Sequence, residues 1–283
     1  MDQNIINLYD DYTHIPLSRG EFIRRLVLIT GSMAAAMSVL PLIEVKASGK
    51  KITNDDDLFT ERIGYPGVPG NMEAYVARPK EEKKYPAVII IHENRGLNAH
   101  IEDVTRRAAK EGFLAVAPNA LSAIGASPAN EDEARQKFQE LKAENNLQNF
   151  INVFDYINTR KDYNGNIGCV GFCWGGGMAN DLAVNVPALK AAVAFYGRQP
   201  QADDVSKIKA AIQLHYAGLD ERTNAGIPTY EAALKKNNIT YELYLYDGVN
   251  HAFHNDTAPT RYNEAAAKLA WQRTIAFCKK YVK

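Results

Sequence analysis

The chain lacks the features that would mark it for a charged or metal-dependent role. Its 33 basic and 33 acidic residues cancel, so no global field draws it to nucleic acid or anionic lipid, and a small molecule is the expected partner. Only three cysteines occur in 283 residues, an odd number spread widely except for Cys169 and Cys173, which excludes a disulfide framework. No Cys/His cluster has zinc-ligand spacing and neither common glycine-rich phosphate loop is present, so no metal or organic cofactor is expected. Internal repeats and low-complexity tracts are missing too. What is there is a chain 46% hydrophobic and 23% charged, enough to bury the core of one large domain or two small ones.

The first 48 residues read as a tail apart from the domain at 49–283. Residues 1–17 are polar and tyrosine-rich, and "SRGEFIRRLVLITGSMAAAMSVLPLIEVKA" follows. The uncharged run from Leu26 to Ile43 comes after Arg19, Arg24 and Arg25 and reaches small residues near Ala47. That is the layout of an export signal. "SRGEFI" is similar to the twin-arginine signal, with Gly20 in place of the second arginine. The expectation is therefore a periplasmic or exported protein, with the cytoplasm as the alternative. Two other readings of the tail are an uncleaved membrane anchor, at the short limit for spanning, and an amphipathic arm packed on the domain. Membrane contact is expected only through this segment.

From residue 85 the chain alternates. "YPAVIIIHE" (85–93), "FLAVAPNAL" (113–121), "NIGCVGF" (166–172), "LKAAVAFYG" (189–197), "KAAIQLHYAG" (209–218) and "TYELYLYDG" (240–248) are apolar, β-branched or aromatic runs that predict strands. Between them lie helical patterns at 98–112, 130–160 (with a break near Asn145-Asn146), 176–186, 227–238 and 261–282. Such alternation implies an α/β fold, a mostly parallel central sheet with helices on both faces. Residues 55–80, ending in the alternating "NMEAYVARP", predict an antiparallel addition at its edge.

In open parallel sheets reactive groups collect beyond the C-terminal ends of strands. Four capable residues stand there: Glu93, Cys173, Asp220 and His251. "GFCWG" (171–175) has the glycine-x-nucleophile-x-glycine form of a nucleophile elbow, in which a strained strand-to-helix turn needs small neighbours. The helix N-terminus behind it favours a thiolate and an oxyanion. Taken alone, Cys173 could equally be an inert core thiol, Asp220 a turn residue and His251 a loop histidine. Their order, nucleophile then acid then histidine, is that of α/β-hydrolases and favours a triad. In it His251 would take the thiol proton, Asp220 would orient the imidazole, and His254 competes for the base role.

"HENRGLNAHIEDVTRR", "GFCWGGG", "FYGR", "YAGLDERTN" and "GVNHAFHNDTAPTRYNEAAAKLAWQRT" together resemble the dienelactone hydrolase family, carboxymethylenebutenolidase-like α/β-hydrolases with a cysteine nucleophile. The resemblance runs from about residue 60 to the end. It implies hydrolysis of a small-molecule ester or lactone through an acyl-thioester on Cys173, with His251 as base and Asp220 as orienting acid. It also implies that Glu93 contacts the resting cysteine and helps remove its proton, and that the backbone N–H groups of Asn94 and Trp174 hold the oxyanion. By composition Glu93 could instead pair with Arg95 or Arg106. Family arginines that bind a lactone carboxylate have no counterpart in "SAIGASPANED", and Asn255 stands near the second expected place. Arg198, Arg261 and His254 are the substrate-binding candidates that remain. Two other classes stay open: a non-catalytic protein binding a small ligand in the same pocket, and a thiol redox protein using Cys169 and Cys173.

Overall fold

Apolar runs without a polar face make strands only where both sides are covered, and here they pair into one sheet. The computed structural model describes residues 1–15, 17–44, 53–128 and 130–283. Strands β1 (Leu58–Tyr65), β2 (Met72–Pro79), β3 (Tyr85–Ile91), β4 (Leu114–Asn119), β5 (Tyr163–Phe172), β6 (Ala191–Phe195), β7 (Ala211–Ala217) and β8 (Tyr241–Tyr246) lie in the order β1-β2-β4-β3-β5-β6-β7-β8. The six from β4 to β8 run parallel, while β2 is antiparallel to both β1 and β4. This is the α/β-hydrolase arrangement read from the sequence, antiparallel edge included.

The period of two along a strand divides the core into two layers. Ile89 and Ile91 of β3 join Val116 and Cys169 under α6 (Ala143–Asn158), α7 (Trp174–Asn185) and α8 (Ile227–Lys236). Val88 and Ile90 face the other way, with Ala115 and Val170, under α4 (Ala99–Lys110) and α9 (Glu264–Tyr281). Asparagine side chains start the second pair of helices: Asn98 accepts from the Ile101 N–H and Asn263 from the Ala266 N–H. One boundary differs from expectation. The 130–160 stretch breaks between α5 (Glu131–Phe138) and α6, not at Asn145-Asn146. Those asparagines fall in the first turn of α6, where a weak helix former costs little.

The N-terminal segment is not a loose tail. Helices α1 (Gln3–His14), α2 (Arg19–Thr30) and α3 (Met33–Ile43) share a small core of their own, with Tyr12 stacked on Phe22 at 4.3 Å. The hydrolase domain grips α1 with cations: the Arg135 guanidinium lies 4.2 Å over the Tyr12 ring and that of Arg261 5.1 Å over Tyr9. No single described helix is long and apolar enough to cross a membrane, and α2 and α3, which together would pass by length and composition, meet at 112°. The exit region near Ala47 lies outside the described residues.

The turn from β5 into α7 is the tightest place in the fold. A Cβ on Gly171 would stand 1.8 Å from the Gly175 carbonyl oxygen, and one on Gly175 would stand 2.4 Å from that of Ile91. Backbone cannot yield as a side chain can, so Gly171→Ala should destabilise the protein by about 1–3 kcal/mol or more. By contrast a Cβ on Gly177 would meet Arg198 side-chain atoms, the nearest its Cγ at 2.8 Å, and Gly177→Ala should cost clearly less than Gly171→Ala because a side chain can shift where backbone cannot. Equilibrium unfolding of the two variants checks the contrast; equal losses would refute it.

Candidate active site

Cys173 follows the last residue of β5 and precedes the first of α7, at φ 56° and ψ −114°. A side chain with Cβ rarely adopts positive φ, and the surroundings hold it there. Its N–H donates to the Phe195 carbonyl at 3.0 Å, and its carbonyl accepts from Gly176 N–H at 3.0 Å and Gly177 N–H at 3.2 Å. The thiol, 6% exposed, is thus fixed at the N-terminal end of a twelve-residue helix, where the dipole favours negative charge.

The loop after β7 brings Asp220, and the loop after β8 brings His251. Their side chains meet at 2.6 Å, Nδ1–H of His251 donating to Oδ2 of Asp220, and both are about 95% buried, at 5% exposure each. Asp220 also accepts from the Thr223 N–H at 3.1 Å. Burial on its own would raise the Asp220 carboxyl, but the hydrogen bond and charge of His251 and the Thr223 contact outweigh it and hold it below its usual range. With Nδ1 committed as donor, the neutral ring has its lone pair on Nε2. That atom is buried without a partner, open to a proton from the site.

Glu93 lies beyond β3, buried, and its Oε2 accepts from the Asn255 side chain at 2.7 Å. Asn255, standing where the family reading looked for an arginine, thus serves the carboxylate. Of the arginines suggested by composition, Arg106 pairs with Asp103. Asn94 and Trp174 both line a cavity of about 320 Å³ that opens onto Cys173. The Trp174 ring is fixed by stacking on His92 at 5.4 Å and by edge contact with Phe138 at 4.8 Å. Arg198 is on the cavity wall too. Arg261 instead pairs with Asp10 of α1 at 3.5 Å. His254 is packed behind the wall, stacked on Phe172 at 4.8 Å, and burial together with the neighbouring cations holds it neutral. It does not compete with His251.

Among the cavity residues not singled out from the sequence, two stand beside the acid–imidazole pair and the thiol. Tyr196, at φ 39°, lines the cavity with its ring 4.8 Å from that of His251, and its buried hydroxyl has no partner. Burial, reinforced by the negative charge of Glu93 and Cys173, keeps that hydroxyl protonated well above its usual range. The other is His14 of α1, whose Nε2 lies 3.0 Å from the Cys173 Sγ. The signal for it was present: Asp10 and His14 are one helical turn apart, and Ile5, Leu8, Tyr9 and Tyr12 repeat at helical spacing. The donor atoms of His14, Cys173 and His251 all lie within 4.8 Å of one another. A tetrahedral zinc site would set its nitrogen and sulfur about 3.5 Å apart, so the 3.0 Å contact is that of a hydrogen bond.

Against known proteins, the model of the Dienelactone hydrolase family matches residues 72–282. A curated protein of Saccharolobus solfataricus named "Putative carboxymethylenebutenolidase" is 33% identical over 261 residues, covering 79% of this chain and 99% of its own. One of the same name from Escherichia coli K12 is 32% identical over 246 residues, covering 81% and 90%. Among solved structures, "Putative Dienelactone Hydrolase" from Klebsiella pneumoniae has a TM-score of 0.71 at 30% identity, covering 79% of this chain and 99% of that one. Dienelactone hydrolase from Anabaena variabilis has a TM-score of 0.61 at 16% identity, covering 80% and 100%, a likeness of fold. The family match takes in every strand from β2 onward and every site residue outside α1, and the chain belongs to the dienelactone hydrolase family.

Proposed function

We propose that this hydrolase cleaves an ester or lactone bond of a small molecule, with Cys173 as nucleophile and a thioester as intermediate. The observation that carries the reading is the buried Asp220–His251 pair, its Nε2 unpartnered, set against a thiol on a strained turn. In this mechanism the thiolate attacks the carbonyl carbon. The N–H groups of Trp174 and Asn94 hold the oxyanion. Collapse expels the alkoxide, which takes up the thiol's proton, and leaves acyl-Cys173. His251 Nε2 then removes a proton from water, hydroxide adds to the thioester, and the acid departs as the proton on His251 returns to the sulfur.

The redox alternative fares worse. Cys169 lies inside β5 and all three cysteines are free. Four residues of strand rise separate Cys169 from Cys173 by about 13 Å, beyond the reach of a disulfide. A purely ligand-binding role would leave the paired acid, imidazole and thiol without a purpose. An exported location is also part of the proposal, supported by the layout of residues 19–47; cell fractionation with mass analysis of the N-terminus tests it.

Cys173→Ala should lower kcat on an ester and lactone panel by roughly 10⁴–10⁶-fold with the fold intact. His251→Ala should accumulate the acyl-enzyme, seen by intact-protein mass spectrometry as the substrate's acyl mass on Cys173. Turnover by Cys173→Ala at the wild-type rate would sink the thioester route. Arg198 lines the cavity with Arg135 and Arg222, and its guanidinium, exposed and bonded to Asp181, can swing to offer a charge-assisted hydrogen bond to a substrate carboxylate. Arg198→Ala should therefore raise KM about tenfold for a carboxylate-bearing lactone and barely change it for a neutral ester; equal effects on both would remove Arg198 from substrate binding.

A further inference from the structure

We infer that His14, delivered by the N-terminal helix, is a further catalytic residue of this site: it takes the Cys173 proton on Nε2 and so leaves His251 free for water. The inference rests on the cysteine reading proposed above and assigns the first proton transfer within it.

The geometry fixes which nitrogen does what. Nδ1 of His14 lies 2.7 Å from the Asp10 carbonyl oxygen and 3.3 Å from an Asp10 carboxylate oxygen. A carbonyl only accepts, so Nδ1 carries a hydrogen and the neutral ring has its lone pair on Nε2. Nε2 is the atom 3.0 Å from Sγ. Cys173, His14 and Asp10 therefore repeat, beside it, the order of Cys173, His251 and Asp220. The two rings meet edge to face with centroids 4.5 Å apart.

Asp10 is itself anchored, by Arg222 at 2.9 Å and Arg261 at 3.5 Å. Thr13 is tied to the hydrolase loop by the Asn94 side chain, which donates to its carbonyl at 2.6 Å. The ring is thus placed by contacts on both of its flanks and is not a chance visitor. The charged and titratable groups facing it are Asp10 on its own helix, Cys173 on the elbow and His251 on the loop after β8. Burial would lower His14, but the negative charges of Cys173 and Asp10 outweigh both burial and His251 and carry it up to about 9. A raised value means that protonated His14 helps hold α1 in place below its ordinary pKa of roughly 6.5. That contribution is lost as pH climbs through about 9.

The step balances. At rest the thiol proton sits on Nε2 of His14, a thiolate–imidazolium pair, in keeping with the raised value of His14. The thiolate adds to the carbonyl, and the expelled alkoxide takes the proton from His14 as alcohol. Both imidazoles are then neutral, and His251 takes up a proton from the attacking water. That proton returns to sulfur when the acid leaves and passes on to His14, restoring the starting pair.

The test compares wild type, His14→Gln and His14→Ala in the full chain, with two readouts. Iodoacetamide alkylation of Cys173 reports thiolate without any need for substrate. His14→Gln should slow it at least tenfold at pH 6.5 while changing it less than twofold at pH 9.5. Ester turnover at pH 7 should fall by roughly 10²-fold. In His14→Ala, added imidazole should restore part of both rates, which no merely structural role of the side chain would permit. Turnover that rises on substitution would make α1 a plug and overturn the proposal, as would alkylation unchanged at pH 6.5. If Cys173→Ala stays active, the cysteine reading fails independently, whatever the alkylation rates show.

Discussion

Everything at the site depends on one backbone conformation, that of Cys173. A residue with Cβ at positive φ persists only where its surroundings over-determine it. Here the Phe195 carbonyl holds its N–H and two α7 N–H groups hold its carbonyl. That conformation turns the chain from β5 into α7 within one residue, so the thiol stands beyond the sheet on a helix end, not inside it. The neighbouring glycines are the steric condition for the turn, because their absent Cβ atoms would occupy carbonyl positions of β3 and of α7 itself. The loops after β7 and β8 then need only modest length to bring Asp220 and His251 together.

A second organising element is charge placed across the seam between α1 and the hydrolase domain. The domain contributes Arg135, Arg222 and Arg261, while α1 contributes Asp10 and the faces of Tyr9 and Tyr12. Burial alone would push the Asp10 carboxyl up, yet His251, His14 and Arg261 together hold it well below its usual range. The carboxylate is therefore kept charged inside the seam, where a buried charge without partners would be costly. Arg261, looked to by the sequence for substrate, is used for this purpose.

The parallel sheet, the elbow and the acid–histidine order were legible because each rests on local chemistry: β-branched runs, glycines spaced around a cysteine, a carboxylate and an imidazole after strands. Asn255 was legible only as a gap in a pattern. Its bond to Glu93 joins residues 162 positions apart, and no local signal carries such a pairing. His14 was missed for a different reason. Its helix shows an apolar repeat, but the basic-then-apolar run that follows marks the whole segment as something to be set aside. Whether an amphipathic helix docks, and against what, is decided by a complementary surface assembled from distant loops, here those bearing Arg135, Arg222 and Arg261.

The order of segments along the chain has a consequence of its own. Helix α1 precedes the basic and apolar stretch whose small-residue exit lies near Ala47. A peptidase acting at that exit would remove the export layout and, in the same cut, carry off Asp10, His14 and the aromatic faces that the domain's arginines hold. Peptide hydrolysis is not reversed in the cell, so the trimmed chain would be left with a single imidazole at its sulfur and a wider mouth above it. Transport and reactivity would then share one covalent bond, and the position of the molecule relative to a membrane would be written into which histidines stand beside its thiol.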